Sequence, residues 1–401
     1  MISTAEALER LFALTRPLGT EEVPLAEAAG RVLAADVAAR RAQPPFAASA
    51  MDGYAVRAAD ITEGAAFRVI GEAPAGRAHP GHVGPGEAVR IFTGAPVPDG
   101  ADFVVIQEDT ETTSTGMRLV QRPSDNANIR PAGGDFAPGD RIGAPRRLRP
   151  ADIALAAAMN APTVTVRRRP EVAVIATGDE LVQPGEEPGP HQIVASNALG
   201  LKALFEEAGA IARLLPIARD TETSLEAAFR LARGADLIVT IGGASVGDHD
   251  LVAPVAERLG MERAFYKVAM RPGKPLMAGR MGEAAVVGLP GNPVSAMVCG
   301  HIFVLPVLRA MLGFPPAPAP RLAARLARAI DANGPREHYM RARREGAGVA
   351  PFDRQDSSLL SILSGADALL VRPPNDPARE AGAKVEIVPL RGGAGSGLSE
   401  G

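Results

Sequence analysis

Tryptophan is absent from this 401-residue chain, tyrosine occurs three times, and aromatic residues make up 4% in all. That leaves no platform on which nucleic-acid bases could stack. Neither sign of charge dominates, with 43 Lys and Arg against 46 Asp and Glu and a formal net charge of −3. Without a basic stripe or zinc-ligand spacing, nucleic acid is not an expected partner. Cysteine is nearly missing too. Cys299 stands alone, which excludes an internal disulfide and favours a reducing compartment. It lies in an apolar helical pattern and reads as a buried thiol rather than a nucleophile. Long hydrophobic runs are also lacking. Pro293–Leu308 carries no charge but contains Ser295, Gly300, His301 and Pro306, and it falls short of the ~20 residues a membrane span needs. It reads as a core helix. The N-terminus carries Glu6, Glu9 and Arg10 and has no apolar secretion core. A cytoplasmic protein without a membrane partner is expected.

Glycine and proline are plentiful, at 43 and 36, which implies many turns. The length calls for two to four domains. Helical spacing of Ala7, Leu8, Leu11 and Phe12 predicts a helix over Thr4–Leu14, and a second short helix is expected over Leu25–Arg31. Short β-like runs follow, at Phe67–Ile70, Ala88–Ile91, Phe103–Gln107 and Met117–Val120, and suggest a mostly-β lobe. Asp152–Met159 reads as helix and Thr163–Val166 as strand.

Residues 171–312 alternate between apolar strands and helices. The strands are Val172–Ala176, Arg213–Ile217, Leu237–Ile241, Ala264–Val268 and Ala284–Leu289; the helices start at Asn197, Ser224, Leu251 and Pro293. Such alternation implies a three-layer α/β domain with a mainly parallel sheet. Ligands of such sheets bind beyond the carboxyl ends of the strands. Pro315–Pro320 reads as a linker, Ala368–Val371 and Lys384–Val388 as strands of a small β domain, and 392–401 as a disordered Gly/Ser tail.

Several polar loops follow strands. In Pro290-Gly-Asn292-Pro-Val-Ser295, Asn292 suits an N-cap and Pro293 the first helical position. A helix terminus of this kind offers N–H groups to an oxyanion. Gly242 and Gly243 allow backbone N–H groups to approach phosphate, and Ser245 follows them. Thr177-Gly-Asp-Glu180 brings Asp179 and Glu180 to the same rim, where Asp250 of Gly247-Asp-His-Asp250 is expected to join them. Carboxylates meeting at an anion site call for a divalent cation, and Mg²⁺ is the natural choice. Asp220 could add a ligand or cap the helix that follows it. Lys267, Arg271 and Lys274 supply cations for an oxyanion. In the β lobe, Asp52, Thr93 and Asp135 sit in three polar loops. His79 and His82 lack an acidic or cysteine partner for a metal, and His249 reads as a loop histidine.

The chain resembles the molybdopterin molybdenumtransferase family, which includes the E domain of gephyrin, over nearly all its length. The stretches that carry the resemblance are Ser49–Ala55, Phe92–Pro96, Thr177–Leu181, Gly242–Gly247, Arg271–Pro275 and Leu289–Ser295. It implies Mg²⁺-dependent insertion of molybdenum from molybdate into adenylylated molybdopterin, with release of AMP and molybdenum cofactor. It further implies an elongated homodimer in which the β lobe of one subunit faces the α/β domain of the other.

The resemblance divides the chain into an N-terminal helix (1–22) packing on the α/β domain and a small elongated connecting domain (23–44 and 138–169). The mostly-β inserted lobe (45–137), the α/β molybdopterin-binding domain (170–312) and a C-terminal β-barrel (313–391) complete it. By motif, Asp52, Thr93 and Asp135 should line the cleft from the lobe. Glu180, Asp220 and Asp250 should serve nucleotide and metal, with Glu180 and Asp250 as the metal ligands. Lys267 and Arg271 should hold the anionic part of the pterin, and Lys274, Ser295, Arg336 and Ser357 a molybdate pocket. Gln355-Asp-Ser-Ser358 lacks the usual Gly-His before its Gln, and Arg271 stands where many relatives have Lys. A molybdopterin adenylyltransferase is a candidate docking partner. That same activity, or a non-catalytic scaffold of this fold, is the alternative reading of the chain itself.

Overall fold

Short runs of β-branched and small apolar residues build the centre of the molecule, a six-stranded sheet; the computed structural model describes residues 1–243 and 251–390. The strand order is Ile211–Leu214, Glu171–Ala176, Leu237–Ile241, Ala284–Leu289, Met277–Met281 and Met261–Tyr266. The first four are parallel, and Met277–Met281 runs against both of its neighbours. Because successive side chains point to opposite faces, each strand feeds two cores. Val172, Val174, Val239, Val287 and Leu289 pack with Phe205, Ile302 and the N-terminal Leu8 and Leu11. Ala173, Ile175, Ile238 and Val286 pack with Leu225, Phe229, Val252 and Val255. Both faces are thus covered by helices, so the strands read as continuous apolar runs rather than as alternating ones.

Helix Thr4–Ala13 is capped by Ser3, whose hydroxyl accepts from the Glu6 N–H. It lies on the central core, and Arg10 donates to the Ala264 carbonyl. Thr20–Pro24 then pairs with Thr163–Arg167, in a four-stranded sheet with Val32–Leu33 and Arg146–Arg147. A separate six-stranded sheet spans Gly53–Leu119, with two small cores of its own. A further sheet gathers Leu322–Arg325, Glu337–Glu345, Gly348–Pro351, Ala368–Arg372 and Lys384–Pro389. The architecture is multidomain α/β.

Some elements differ from the sequence-based expectation. The turn at Leu25–Glu27 is a single 3₁₀ turn closed by the Ala28 N–H on the Leu25 carbonyl, not a helix to Arg31; Gly30 takes a positive φ that a continuing helix does not admit. The last apolar helix runs from Pro293 to Met311 but passes through a π turn at Gly300–Val304. By length and composition it could cross a membrane, yet 78% of its most apolar window is buried inside the fold. Strand Met261–Tyr266 stops short of Val268, and Lys267 follows it with φ +70°. The Met277–Met281 strand and the two-residue strand Met270–Arg271 were not anticipated. The latter pairs in parallel with Glu337 and His338, joining the loop that carries Arg271 to the C-terminal sheet.

Candidate functional site

Three parallel strands end side by side, and their loops wall a cleft of about 670 Å³. The loop after Ala176 contributes Thr177, Gly178 and Glu180; the loop after Ile241 contributes Gly242 and Gly243; the loop after Leu289 contributes Pro290, Gly291 and Asn292. Asp220 enters from the end of the neighbouring strand, and Asn197, Pro275 and Ser358 close the sides. The glycines are required by packing. Gly242 has φ +94°, and a Cβ there would lie 2.6 Å from the Thr177 carbonyl oxygen. Gly178 has φ +150°, and the Glu180 carboxylate folds over it so closely that a Cβ would meet an oxygen at 2.4 Å.

The acidic groups are fixed differently. Asp220 accepts the Thr177 hydroxyl at 2.9 Å, and its own N–H donates to Asp179 at 3.2 Å. Arg219 donates to the Asp179 carbonyl at 2.9 Å, tying the two loops together. Asp220 does not cap the following helix; Thr221 does, accepting from the Ser224 N–H. The Glu180 carboxylate has no hydrogen bond or ion pair among the described residues. Asp250, Ser245 and His249 lie outside the described residues, and among those described no three His, Cys, Asp or Glu side chains cluster as a metal site. Glu180 and Asp220 are the two carboxylates that line this cleft among the described residues.

The helix terminus at Asn292 has one of its first-turn N–H donors taken, that of Val294, while the Ser295 N–H has no partner among the described residues. Asn292 occupies the N-cap position, but its side chain makes no capping bond. Its amide donates instead to the Ser357 hydroxyl at 3.0 Å, and the Val294 N–H donates to the Ser357 carbonyl at 3.0 Å. Pro293 has no N–H to offer. Residues from the C-terminal region thus cap this helix. Ser295 is buried, and neither it nor Lys267, Arg271, Lys274, Arg336 or Ser357 lines the cleft itself.

Those cations form a neighbouring group around the Met270–Arg271 strand. Lys274 and Lys267 turn the loop through backbone bonds to Val268 and Leu276, and Arg336 donates to the Met270 carbonyl. Gly273, at φ +110°, is packed against the fully buried Cys299, where a Cβ would lie 2.4 Å from the sulfur. Burial pushes the Cys299 thiol far up. Two further residues belong here that the sequence did not flag. Arg341 is fully buried, donates to the Asp356 carbonyl, and leaves two of its nitrogens unpartnered among the described residues. Burial and the nearby Arg271 bring its guanidinium down to about 10. His338 has one unpartnered buried nitrogen and is pushed down to about 3 by burial and by Arg271, Arg341, Arg372 and Arg336. Ser358 and Asn197 were likewise missed. Asn197 holds the Gly291 carbonyl at 2.7 Å, and it read only as a helix start.

The β-lobe residues form a separate cluster. Thr93 donates its N–H and its hydroxyl to the same oxygen of Asp52, at 2.8 and 2.7 Å. Arg90 stacks 5.0 Å from the Tyr54 ring centre and 4.9 Å from that of Phe92, and donates to Gln107. The N–H of Asp135 donates to the Gln43 carbonyl. Within a single chain, Asp52, Thr93 and Asp135 do not line the strand-end cleft.

An open α/β sheet with a glycine-lined cleft beyond its strand ends places its ligand site at that rim. Family descriptions match most of the chain: the MoeA N-terminal region (domain I and II) over residues 2–160, a probable molybdopterin binding domain over 173–310, and the MoeA C-terminal region (domain IV) over 323–390. The chain is 37% identical to molybdopterin molybdenumtransferase 2 of Mycobacterium tuberculosis, over 91% of this chain and 94% of that relative. It is 33% identical to the molybdopterin molybdenumtransferase of Bacillus subtilis, over 98% and 95% respectively. Two crystal structures of a Pyrococcus horikoshii molybdopterin biosynthesis MoeA protein superpose with a TM-score of 0.82 each, at 32% and 28% identity. They cover 98% and 96% of this chain, and it covers 100% and 99% of them. The chain belongs to the molybdopterin molybdenumtransferase family.

Proposed function

We propose that the chain is a transferase of molybdenum cofactor biosynthesis that inserts molybdenum from molybdate into adenylylated molybdopterin, cleaving the phosphoanhydride with water and releasing AMP. The observation that supports this most directly is the strand-end cleft. Glycine backbone able to approach a phosphate lines it together with the Asp220 carboxylate, fixed by Thr177, and the Glu180 carboxylate, which has no partner among the described residues. Glu180, together with Asp250, would hold Mg²⁺, which supplies neutralisation of phosphate charge when bound. Glu180 is also the first candidate to orient the attacking water.

In this reading Asp220, Gly242, Gly243 and Ser245 hold the nucleotide. Lys267 and Arg271 hold the anionic part of the pterin, and Lys274, Asn292, Ser295, Arg336 and Ser357 surround the oxyanion. Support for an anion there comes from Arg341, whose buried guanidinium leaves two nitrogens without a partner among the described residues beside the further positive charge of Arg271. Asp52, Thr93 and Asp135 would complete the cleft from a second protomer, which makes a homodimer part of the proposal. The division into N-terminal helix, connecting domain, β lobe, α/β domain and C-terminal barrel belongs to it as well. So do a cytoplasmic location and a molybdopterin adenylyltransferase as upstream partner.

Incubation with adenylylated molybdopterin, Mg²⁺ and molybdate should release AMP and reconstitute a molybdenum-free apoenzyme. Consumption of ATP with molybdopterin and release of pyrophosphate would instead make the chain an adenylyltransferase.

A further inference from the structure

A second cavity, of about 640 Å³, shares no lining residue with the strand-end cleft. It opens between helix Asn197–Glu207, the helical run Pro293–Met311, the segment Pro145–Arg147 and the strand end at Val388–Leu390. Its size falls in the usual range for small-molecule sites, about 300–1,000 Å³. Leu204, Met297, Leu305, Leu312, Phe314 and Leu390 make the wall apolar. Residues from the N-terminal, middle and C-terminal matched regions all contribute to it.

Three guanidinium groups line this cavity; Arg146 is paired with Asp152, which leaves Arg147 and Arg309. Arg309 lies over the Phe314 ring, 4.7 Å from its centre. Arg147 is half-buried and donates to the Glu207 backbone carbonyl at 3.0 Å. Neither forms an ion pair among the described residues, where most other arginines near a carboxylate do. Arg147 lies below the ordinary arginine range, chiefly through burial and then through the positive charge of Arg309, while the Glu207 carboxylate pulls the other way. A half-buried cation is normally paired, because desolvating it alone is costly. Arg147 has only the Glu207 backbone carbonyl as a partner among the described residues, while Arg309 near it is exposed and stays hydrated. The π turn Gly300–Val304 presents His301 to the same cavity, and burial pushes that imidazole down to about 4. It is neutral at physiological pH and adds no further charge.

We propose that this cavity binds a small organic anion with a hydrophobic body, the carboxylate or sulfonate head held by Arg147 and Arg309 and the body lying against Leu204, Met297, Leu305 and Phe314. A bare metal cation is opposed by the two arginines. A nucleotide would find no glycine loop here to cradle its phosphates. A neutral apolar ligand would leave the arginines as they are.

The test uses the full chain and 8-anilinonaphthalene-1-sulfonate, an aromatic anion whose fluorescence rises in apolar surroundings. Saturable binding near one probe per chain is expected, with 2-naphthoate competing and neutral 2-naphthalenemethanol competing far less. Arg309→Gln should weaken binding roughly tenfold, since a charge-assisted contact is lost. Ala203→Trp, at an exposed cavity-lining position on the helix, should block the site without touching either arginine, and it serves if the arginine variant fails to fold. Unsaturable binding, equal binding by wild type and both variants, or equal competition by the alcohol would overturn the proposal. So would sedimentation showing that the probe binds only a dissociated form, because the cavity would then be a contact between copies. None of these readouts depends on molybdenum chemistry.

Discussion

Thr93 places two donors on one oxygen of Asp52, its N–H at 2.8 Å and its hydroxyl at 2.7 Å. These bonds favour the ionised carboxylate and hold Asp52 below the ordinary carboxylate range, the backbone bond first, the hydroxyl second, with Arg90 adding to them. The carboxylate is therefore charged and aimed throughout the neutral range, in a loop where propensity alone predicts only a turn.

Thr93→Ala removes the hydroxyl donor and leaves the N–H. The Asp52 carboxyl should then titrate at higher pH, read by carbon-detected NMR. Because its folded-state value is depressed, its contribution to stability is present above the unfolded-state value of about 3.9 and is lost as pH falls through the folded one. The variant should lose that contribution at a higher pH than wild type. An unmoved titration would mean that the hydroxyl does not act on Asp52.

Gly242→Ala sets a methyl group 2.6 Å from the Thr177 carbonyl at a residue with φ +94°. A loss of stability of ~1–3 kcal/mol is expected from the backbone conformation alone. Nucleotide affinity should fall with it, because the loop must move away from the cleft. Urea unfolding and AMP titration check both, and unchanged values would show that the loop relaxes freely.

His338 is pushed down to about 3 in the folded chain by burial and by the surrounding Arg271, Arg341, Arg372 and Arg336. The unfolded chain binds that proton near its ordinary value of about 6.5. Stability from the neutral ring is thus complete above about 6.5 and is lost as pH falls from there towards 3. His338→Gln should flatten the stability profile across that window, measured by urea unfolding at pH 7.5 and pH 5. A slope equal to that of wild type would remove His338 as its source.

Asn292 and Ser357 join the strand-end loop to the C-terminal region through a 3.0 Å bond. Asn292→Ala and Ser357→Ala should each cost ~0.5–1.5 kcal/mol, and the double variant should cost less than their sum. Strict additivity would show that the bond does not form in solution.

Glu180→Gln keeps the size of a side chain that accepts no bond among the described residues. Unfolding should change by less than about 0.5 kcal/mol, as for a group with no structural partner among the described residues. AMP release should fall by ~10²-fold or more if Glu180 holds the metal or orients water. Retained turnover would transfer those roles to another carboxylate.

The sequence by itself determined the strands of the central sheet, because a strand buried on both faces must be apolar throughout, and Val172–Ala176, Leu237–Ile241 and Ala284–Leu289 are. It also marked the strand-end loops, since Gly178, Gly242 and Gly243 adopt conformations that other residues avoid. The antiparallel Met277–Met281 escaped notice because its pattern carries Gly279 and Arg280 inside it. Helix Leu25–Arg31 was over-read because a few favourable residues cannot sustain a helix against Gly30.

Only the tertiary structure decided what each polar group does. The helix terminus at Asn292 is locally a free anion seat, yet Ser357, distant in sequence, takes the Val294 N–H and the Asn292 side-chain amide. Arg341, which nothing in the local sequence singles out, is fully buried beside Arg271. Local pattern reflects short-range backbone preference and the side of the sheet a residue faces. Which donors stay unpaired and which charges meet depends on contacts between segments far apart in the chain, and no stretch of sequence contains those.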